Sequence, residues 1–302
     1  MTDLQSEFAK IMHSFVSQDG MVSTPVPGVH CIKLSQTDRR SKKHWRTSFA
    51  IMAQGCKEIV LGREVYRYEV GHYTVTPIDL PVISRIAAAT PEKPFLALLI
   101  DFDPRVLNEI AAPLEKDFPK EFEIGQQAMF VGKANDKMLE AAVRLAKLFR
   151  TPEDAPVLGP LIVRELYYHL LRSENGPAIH QFVRSGSKMH KVSQMIHKLR
   201  LNLSGDVDVA ALAKAASMSR SAFFKHFKDL TAVSPIQYQK RLRLLEARRL
   251  MTDEGETAEG SAYKVGYKSA SQFSREYSRM FGNSPLRDAV KIKRTGRPLQ
   301  QI

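Results

Sequence analysis

The sequence predicts an α+β protein: an N-terminal β-barrel with flanking helices, then an all-α C-terminal domain in which two helix-turn-helix units are joined by a helix. Three observations predict it. Seven short apolar runs separated by glycine and proline fill residues 29–102. A residue pattern stated at 219–235 returns fifty residues later at 269–285. Almost all of the excess positive charge lies on the part that carries this repeat.

The chain has 302 residues and is 43% hydrophobic, enough for a buried core and for about two domains. We expect an N-terminal domain over 1–175, a linker over 176–187 and a C-terminal domain over 188–302. The N-terminus has no basic and apolar leader pattern, and its longest apolar run, Phe95 to Ile100, is far short of a membrane span. A cytoplasmic protein without a membrane partner is therefore expected. Two cysteines, Cys31 and Cys56, do not make a disulfide scaffold and are expected to be reduced.

Residues 1–18 place Leu4, Phe8, Ile11, Met12 and Phe15 at helical spacing. The strand-length runs follow at Val29–Leu34, Ser48–Ala53, Glu58–Leu61, Glu64–Val70, Tyr73–Thr76, Val82–Ala88 and Phe95–Phe102. Short strands at this spacing argue for a small antiparallel sandwich or jelly-roll barrel, a shape that often encloses a ligand cavity. Asp136–Arg150 and Val157–Arg172 then read as helices that either cover the barrel or join two copies of the chain. Gly176, Pro177 and Gly186 mark 174–187 as linker-like.

Catalytic machinery is not visible. A metal-using barrel needs histidines on adjacent strand positions with a carboxylate nearby, whereas His30, His44 and His72 are isolated and Glu58 and Glu64 read as solvated turn-flanking charges. No nucleophile motif or phosphate-cradling loop is present, so neither catalytic residues nor a cofactor or metal is expected. A barrel thiol could sense an electrophile, but such cysteines are more often inert small hydrophobes.

The C-terminal third is basic. Residues 187–302 hold 22 lysines and arginines against 10 acids, while residues 1–186 hold 23 against 22. A basic module beside a near-neutral one points to a polyanionic partner. Met189–Leu203 has a helical apolar stripe, and Asp206 or Asp208 can cap a second helix running through Ala216. Ser219 can cap a third, which completes helix, tight turn, helix; in such a unit one face of the last helix is free for a DNA major groove.

The repeat assigns the faces. Ser219-Arg-Ser-Ala-Phe-Phe-Lys-His-Phe227 before Ser234-Pro235 matches Ser269-Ala-Ser-Gln-Phe-Ser-Arg-Glu-Tyr277 before Ser284-Pro285. Phe223 and Phe227 face inward, as do Phe273 and Tyr277. Ser221, Phe224, Lys225 and Lys228 face outward in the first copy, and Ser271, Ser274, Arg275 and Ser278 in the second. Arginine at such a place can bond guanine O6 and N7 together; Lys225 can contact a guanine or only a phosphate, and Phe224 a thymine methyl or only the neighbouring turn. Ser234, Pro235 and Gln237 start a connecting helix that would hold the two reading helices about one DNA turn, ~34 Å, apart. Lys291 to Arg297 reads as a mobile basic tail adding phosphate contacts.

These residues resemble a known family. Ala215–Pro235, the Arg241-Leu-Arg-Leu-Leu-Glu-Ala-Arg-Arg-Leu250 helix, and Val265-Gly-Tyr267 through Phe281-Gly282-Asn-Ser-Pro285 look like the double helix-turn-helix of AraC/XylS-type transcription regulators. Gln54-Gly55-Cys-Lys57, Gly62, Tyr66 and Asp79-Leu-Pro81 resemble the cupin-like N-terminal domain of one AraC-type subgroup. The resemblance implies a bacterial, homodimeric, cytoplasmic regulator, nucleoid-associated when bound to DNA. Its partners would be double-stranded DNA, RNA polymerase and a small-molecule effector held in the N-terminal barrel. It also implies base contacts by Ser221, Phe224 and Lys225 and by Ser271, Gln272 and Arg275. Gly260-Ser261 departs from the family's helix-forming apolar residues; a mid-helix glycine, costing about 1 kcal/mol against alanine, would soften the second unit. Two other classes stay open: a cupin-type metal-dependent enzyme carrying a DNA-binding module, and an effector-independent DNA-binding dimer.

Overall fold

A computed structural model describes residues 2–38, 41–118 and 128–294. Its contacts group into two compact units, the first comprising 1–40, 47–78 and 84–191, the second 41–46, 79–83 and 192–302.

The first unit opens with α1 (Asp3–Phe15), started by a capping box in which the Thr2 hydroxyl and the Gln5 side chain each satisfy the other's backbone N–H. Its buried stripe is Phe8, Ala9, Ile11 and Met12. The strands of the chain are β1 (Gly20–Ser23), β2 (Val29–Leu34), β3 (Ser41–Trp45), β4 (Ser48–Gln54), β5 (Cys56–Leu61), β6 (Glu64–Glu69), β7 (His72–Thr76), β8 (Leu80–Ala88), β9 (Phe95–Asp101) and β10 (Phe130–Lys133), of which β3 and the first residues of β8 are counted with the second unit. They form two sheets rather than one closed cylinder: β1-β2-β9-β4-β7-β10 and β3-β8-β5-β6. β4 and β9 read as nearly continuous apolar runs because they are central strands of the larger sheet, buried along almost their whole length.

Helices cover this unit: α2 (Pro104–Ala111), α3 (Asp136–Lys147), α4 (Ala155–Leu171) and α5 (Gly176–Val183). The Asn135 carboxamide caps α3 by accepting from Met138 N–H. α5 lies where the linker was expected. Gly176-Pro177 is not a break there but a start, with proline at the first turn, where its missing N–H costs nothing. Ile179, Phe182 and Val183 are buried, which ties the segment down. Glu58 also departs from expectation: its carboxylate is buried and accepts from Arg85 at 2.7 Å, with Arg67 at 3.8 Å.

In the second unit the helices are α6 (Lys188–Leu201), which begins within the first, then α7 (Val209–Ala215), α8 (Arg220–Thr231), α9 (Pro235–Asp253), α10 (Ala258–Lys264), α11 (Ala270–Phe281) and α12 (Pro285–Arg294). The starts of α7 to α11 are fixed by caps. The side chains of Asp208, Ser219, Ser234, Thr257 and Ser269 accept from backbone N–H groups of the first turns of α7 to α11. Gly260 is the N–H partner of Thr257 in the first turn of α10, so it is not a mid-helix weakness. Lys291–Arg294, expected as mobile tail, is the last turn of α12, and Thr295 to Arg297 lie outside the described residues. Among the described residues no helix is long and apolar enough to cross a membrane.

Candidate nucleic-acid interface

Two helices, α8 and α11, carry the candidate residues, and each is seated by its aromatic face. Phe223 and Phe227 are wholly buried, tilted against each other at 5.7 Å, and Phe227 meets Tyr238 of α9 edge-on at 5.4 Å. In the second copy Phe273 and Tyr277 are equally buried, with Tyr267 edge-on to Phe273 at 5.3 Å and Tyr277 beside Phe281 at 4.5 Å. A helix held along one side through i, i+4 aromatics must present the opposite side outward.

That side is where the candidates stand. Ser221, Phe224, Lys225 and Lys228 are exposed on α8, with Phe224 at 42%. Ser271, Gln272 and Arg275 are exposed on α11, and Ser274 is half-buried. Lys225, Lys228 and Arg275 form no ion pair among the described residues. Ser221 shares a hydrogen bond with the capping Ser219 at 3.2 Å, which leaves it at the head of α8. α9 runs 19 residues between the two units, a strut of about 28 Å at 1.5 Å per residue.

The repeat slips by one residue inside the turn. Met218 N–H bonds Ala213 carbonyl and Tyr267 N–H bonds Ala262 carbonyl, an offset of 49, whereas Ser219 and Ser269 cap their helices at an offset of 50. The second turn thus holds one more residue. The left-handed position is Ser217 in the first turn (φ 56°) and Gly266 in the second (φ 91°).

Polar support was not legible in the sequence, because its members are far apart in the chain. Arg248 grips Asp288 through two nitrogens, at 2.8 and 3.2 Å, while Tyr277 donates to the same carboxylate at 2.8 Å. Arg243 donates to the carbonyls of Leu203, Gly205 and Gly266. Glu276 accepts from Lys240 at 2.7 Å, Tyr267 at 2.8 Å and Gln272 at 3.1 Å. Burial would raise the Glu276 carboxyl, but the hydrogen bonds from Lys240, Gln272 and Tyr267 outweigh it and hold the group below the usual carboxylate range. Only the Gln272–Glu276 spacing of four residues could have signalled this.

Elsewhere the chemistry is sparse. Among the described residues no three His, Cys, Asp or Glu side chains gather as a metal site. Cys31 and Cys56 are buried; desolvation pushes the Cys31 thiol up to about 12 and also raises Cys56, so neither is poised as a thiolate. A cavity of about 630 Å³ in the first unit is lined by Arg67, His72, Lys133 and Glu174 among others. A second of about 400 Å³, within the second unit, is lined by Lys42, Lys240 and Arg241 beside Val82, Leu245 and Met280.

Comparison with known proteins decides the family. The AraC-type transcriptional regulator N-terminus matches residues 25–178, and a helix-turn-helix domain matches 212–288. The chain belongs to the AraC-type transcriptional regulators. The resemblance read from its residues is therefore borne out. As an AraC-type regulator it is 30% identical over 101 residues to the HTH-type transcriptional activator RhaS of Pectobacterium carotovorum, covering 33% of this chain and 36% of RhaS. It is also 30% identical over 129 residues to the raffinose operon regulator RafR of Pediococcus pentosaceus, covering 43% of this chain and 45% of RafR. These matches span less than half of either relative. The architecture is similar to that of ToxT from Vibrio cholerae, with a TM-score of 0.57 and 10% identity over 87% of this chain and 97% of ToxT. This likeness bears out the expected α+β fold, a sheet-rich N-terminal part with flanking helices followed by paired helix-turn-helix units.

Proposed function

We propose that this AraC-type chain reads specific DNA sequences with α8 and α11 and regulates transcription in the bacterial cytoplasm, associated with the nucleoid when bound. The observation that carries the reading is the pair of exposed helix faces. Each is seated by buried aromatics, and each offers cations, Lys225 and Lys228 or Arg275, that no partner in the protein neutralises among the described residues. Ser221, Phe224, Lys225, Ser271, Gln272 and Arg275 are the base-contact set, with Lys228 and Ser274 at its margin.

The effector we propose is an organic carboxylate. ToxT structures hold an unsaturated fatty acid or a naphthalenyl butenoic acid, both carboxylic acids. Two cavities among the described residues have cationic walls, Arg67 with Lys133 in the first unit and Lys42, Lys240 and Arg241 in the second. The N-terminal site is the one the family reading favours. Self-association through α4 completes the proposal, because Val157, Leu158, Leu161 and Tyr168 leave an apolar stripe open on that helix. In the bound dimer, contact with RNA polymerase would convert occupancy into altered transcription.

Selection of bound duplexes from a randomised pool by the purified chain tests the DNA reading; recovery of no enriched sequence refutes it. A thermal-shift series of carboxylates tests the effector. Loss of the shift in R67A/K133A places the ligand in the first unit, loss in R241A places it in the second, and no shift with any acid favours effector-independent binding. Stoichiometric metal in the purified protein would instead revive the enzyme reading.

A further inference from the structure

Gln272 stands exposed in the first turn of α11, and its amide is hydrogen-bonded within the helix. Its Nε2 donates to Glu276 Oε1 at 3.1 Å, one turn further along the helix. Glu276 is itself held on both oxygens, by Lys240 Nζ on Oε1 at 2.7 Å and by the Tyr267 hydroxyl on Oε2 at 2.8 Å. Tyr267 is buried and packed edge-on against Phe273. An ionised carboxylate accepts and cannot donate, so the side of the glutamine amide that meets it must be the NH₂ side. The carbonyl oxygen is thereby left facing away from Glu276, with only the second N–H beside it.

We propose that Glu276 is a positioning residue that locks the Gln272 amide, so that the second recognition helix reads adenine and rejects guanine at one base pair. This rests on the reading that α11 faces DNA. In the major groove adenine shows a donor at N6 beside an acceptor at N7, and guanine shows two acceptors, O6 and N7. A locked amide presents its oxygen together with one N–H, which matches adenine and sets oxygen against oxygen at guanine. Unlocked, the amide can turn its two N–H groups to guanine, and the discrimination falls. The corresponding residues of α8, Ala222 and His226, cannot make this lock.

The test uses the full chain and its selected duplex, with each base pair varied in turn at fixed salt. Wild type should prefer adenine to guanine on the order of tenfold at one position. Q272A should abolish that preference at this position alone. E276A and K240M should lower the same preference at least threefold while other positions keep theirs, and E276Q, whose amide can accept or donate, should fall between. Melting curves show which variants are folded; if E276A is not, K240M, which leaves the Tyr267 bond in place, decides. Should Q272A alter no position, the placing of Gln272 on DNA fails. Should Q272A alter one while folded E276A and K240M keep the wild-type ratio there, the lock fails and the contact stands. Wild-type selection of guanine or thymine at the Q272A-sensitive position also overturns the lock.

Discussion

Replacing Gly266 by alanine should cost the second helix-turn-helix far more than its size suggests. The residue sits at φ 91°, where an L side chain is strained by roughly 1–2 kcal/mol. An added Cβ would lie 2.5 Å from the Ser204 carbonyl oxygen and 2.6 Å from Ser204 Cα, both backbone atoms that no side-chain rotation can move. Relief therefore requires the 203–205 loop to shift, and that loop is fastened by Arg243 to the Leu203 and Gly205 carbonyls at 2.5 and 2.8 Å. Hydrogen bonds from a charged donor contribute about 1.5–3 kcal/mol each, so losing one of them on top of the φ strain gives a loss of about 2.5–5 kcal/mol. Urea unfolding followed by circular dichroism reads it as a lower midpoint at unchanged slope. Ser217, at φ 56° and exposed, is the matched control, and S217G should be neutral or stabilising by up to ~1 kcal/mol. A G266A protein within 1 kcal/mol of wild type would refute the argument that this turn is backbone-limited.

Other outcomes follow from the same geometry. R275A should weaken binding to the selected duplex by about 1–3 kcal/mol and relax preference at one base; equal weakening on all sequences would make Arg275 a phosphate contact. Glu276 is held below its unfolded value, so the stability it adds is present above about pH 4.3 and lost as pH falls through its depressed folded value. The melting temperatures of wild type and E276Q should therefore converge on acidification, and a constant gap between pH 7 and pH 3 would contradict this. With the Cys31 thiol raised to about 12 and Cys56 raised as well, iodoacetamide at pH 8 should leave both unlabelled in the folded chain, and rapid native labelling would overturn that. L161E, placing charge on the open stripe of α4, should turn a dimer into a monomer in sedimentation if that stripe is the contact.

How much of this was legible depended on whether the signal was local. Caps are local: Ser219 and Ser234 were assigned from residue type and neighbours, the α7 cap was narrowed to Asp206 or Asp208, and Ser219, Ser234 and Asp208 are found accepting from first-turn N–H groups. Each of the seven apolar runs falls on a strand, with only Val70 and Phe102 one residue past the ends of β6 and β9. β1, β3 and β10 went unseen because Gly20–Ser23 and Phe130–Lys133 are four residues long and Ser41–Trp45 reads Ser-Lys-Lys-His-Trp, with no apolar alternation to detect. α5 was missed because Gly-Pro looks the same at a break and at a first turn. Glu58 was misjudged since nothing near it in sequence reports that Arg85 lies across the sheet. The outward faces of α8 and α11 were readable from period alone, because aromatics at i, i+4 mark the inward side.

The two helices proposed to read DNA are unequal, though not in the way the sequence suggested. Gly260 does not soften the second unit, since it is bonded into the cap of α10. The first helix itself is seated by rings, Phe223 on Phe227 and Phe227 on Tyr238, with polar support behind Tyr238, whose hydroxyl donates to the Asp79 carbonyl beside the Arg200–Asp79 pair. The second adds to its rings a charged frame, Arg248 on Asp288 and Lys240 on Glu276, with Tyr277 and Tyr267 donating into the carboxylates. Apolar seating tolerates acid and salt, whereas the Lys240–Glu276 pair depends on Glu276 staying ionised. A frame of that kind also fixes angles, because the bidentate grip of Arg248 and the twin-sided hold on Glu276 leave little rotational freedom. On the DNA reading proposed above, α11 is thus the helix held for orientation, and protonation of Glu276 should blunt its base preference before it weakens binding through α8.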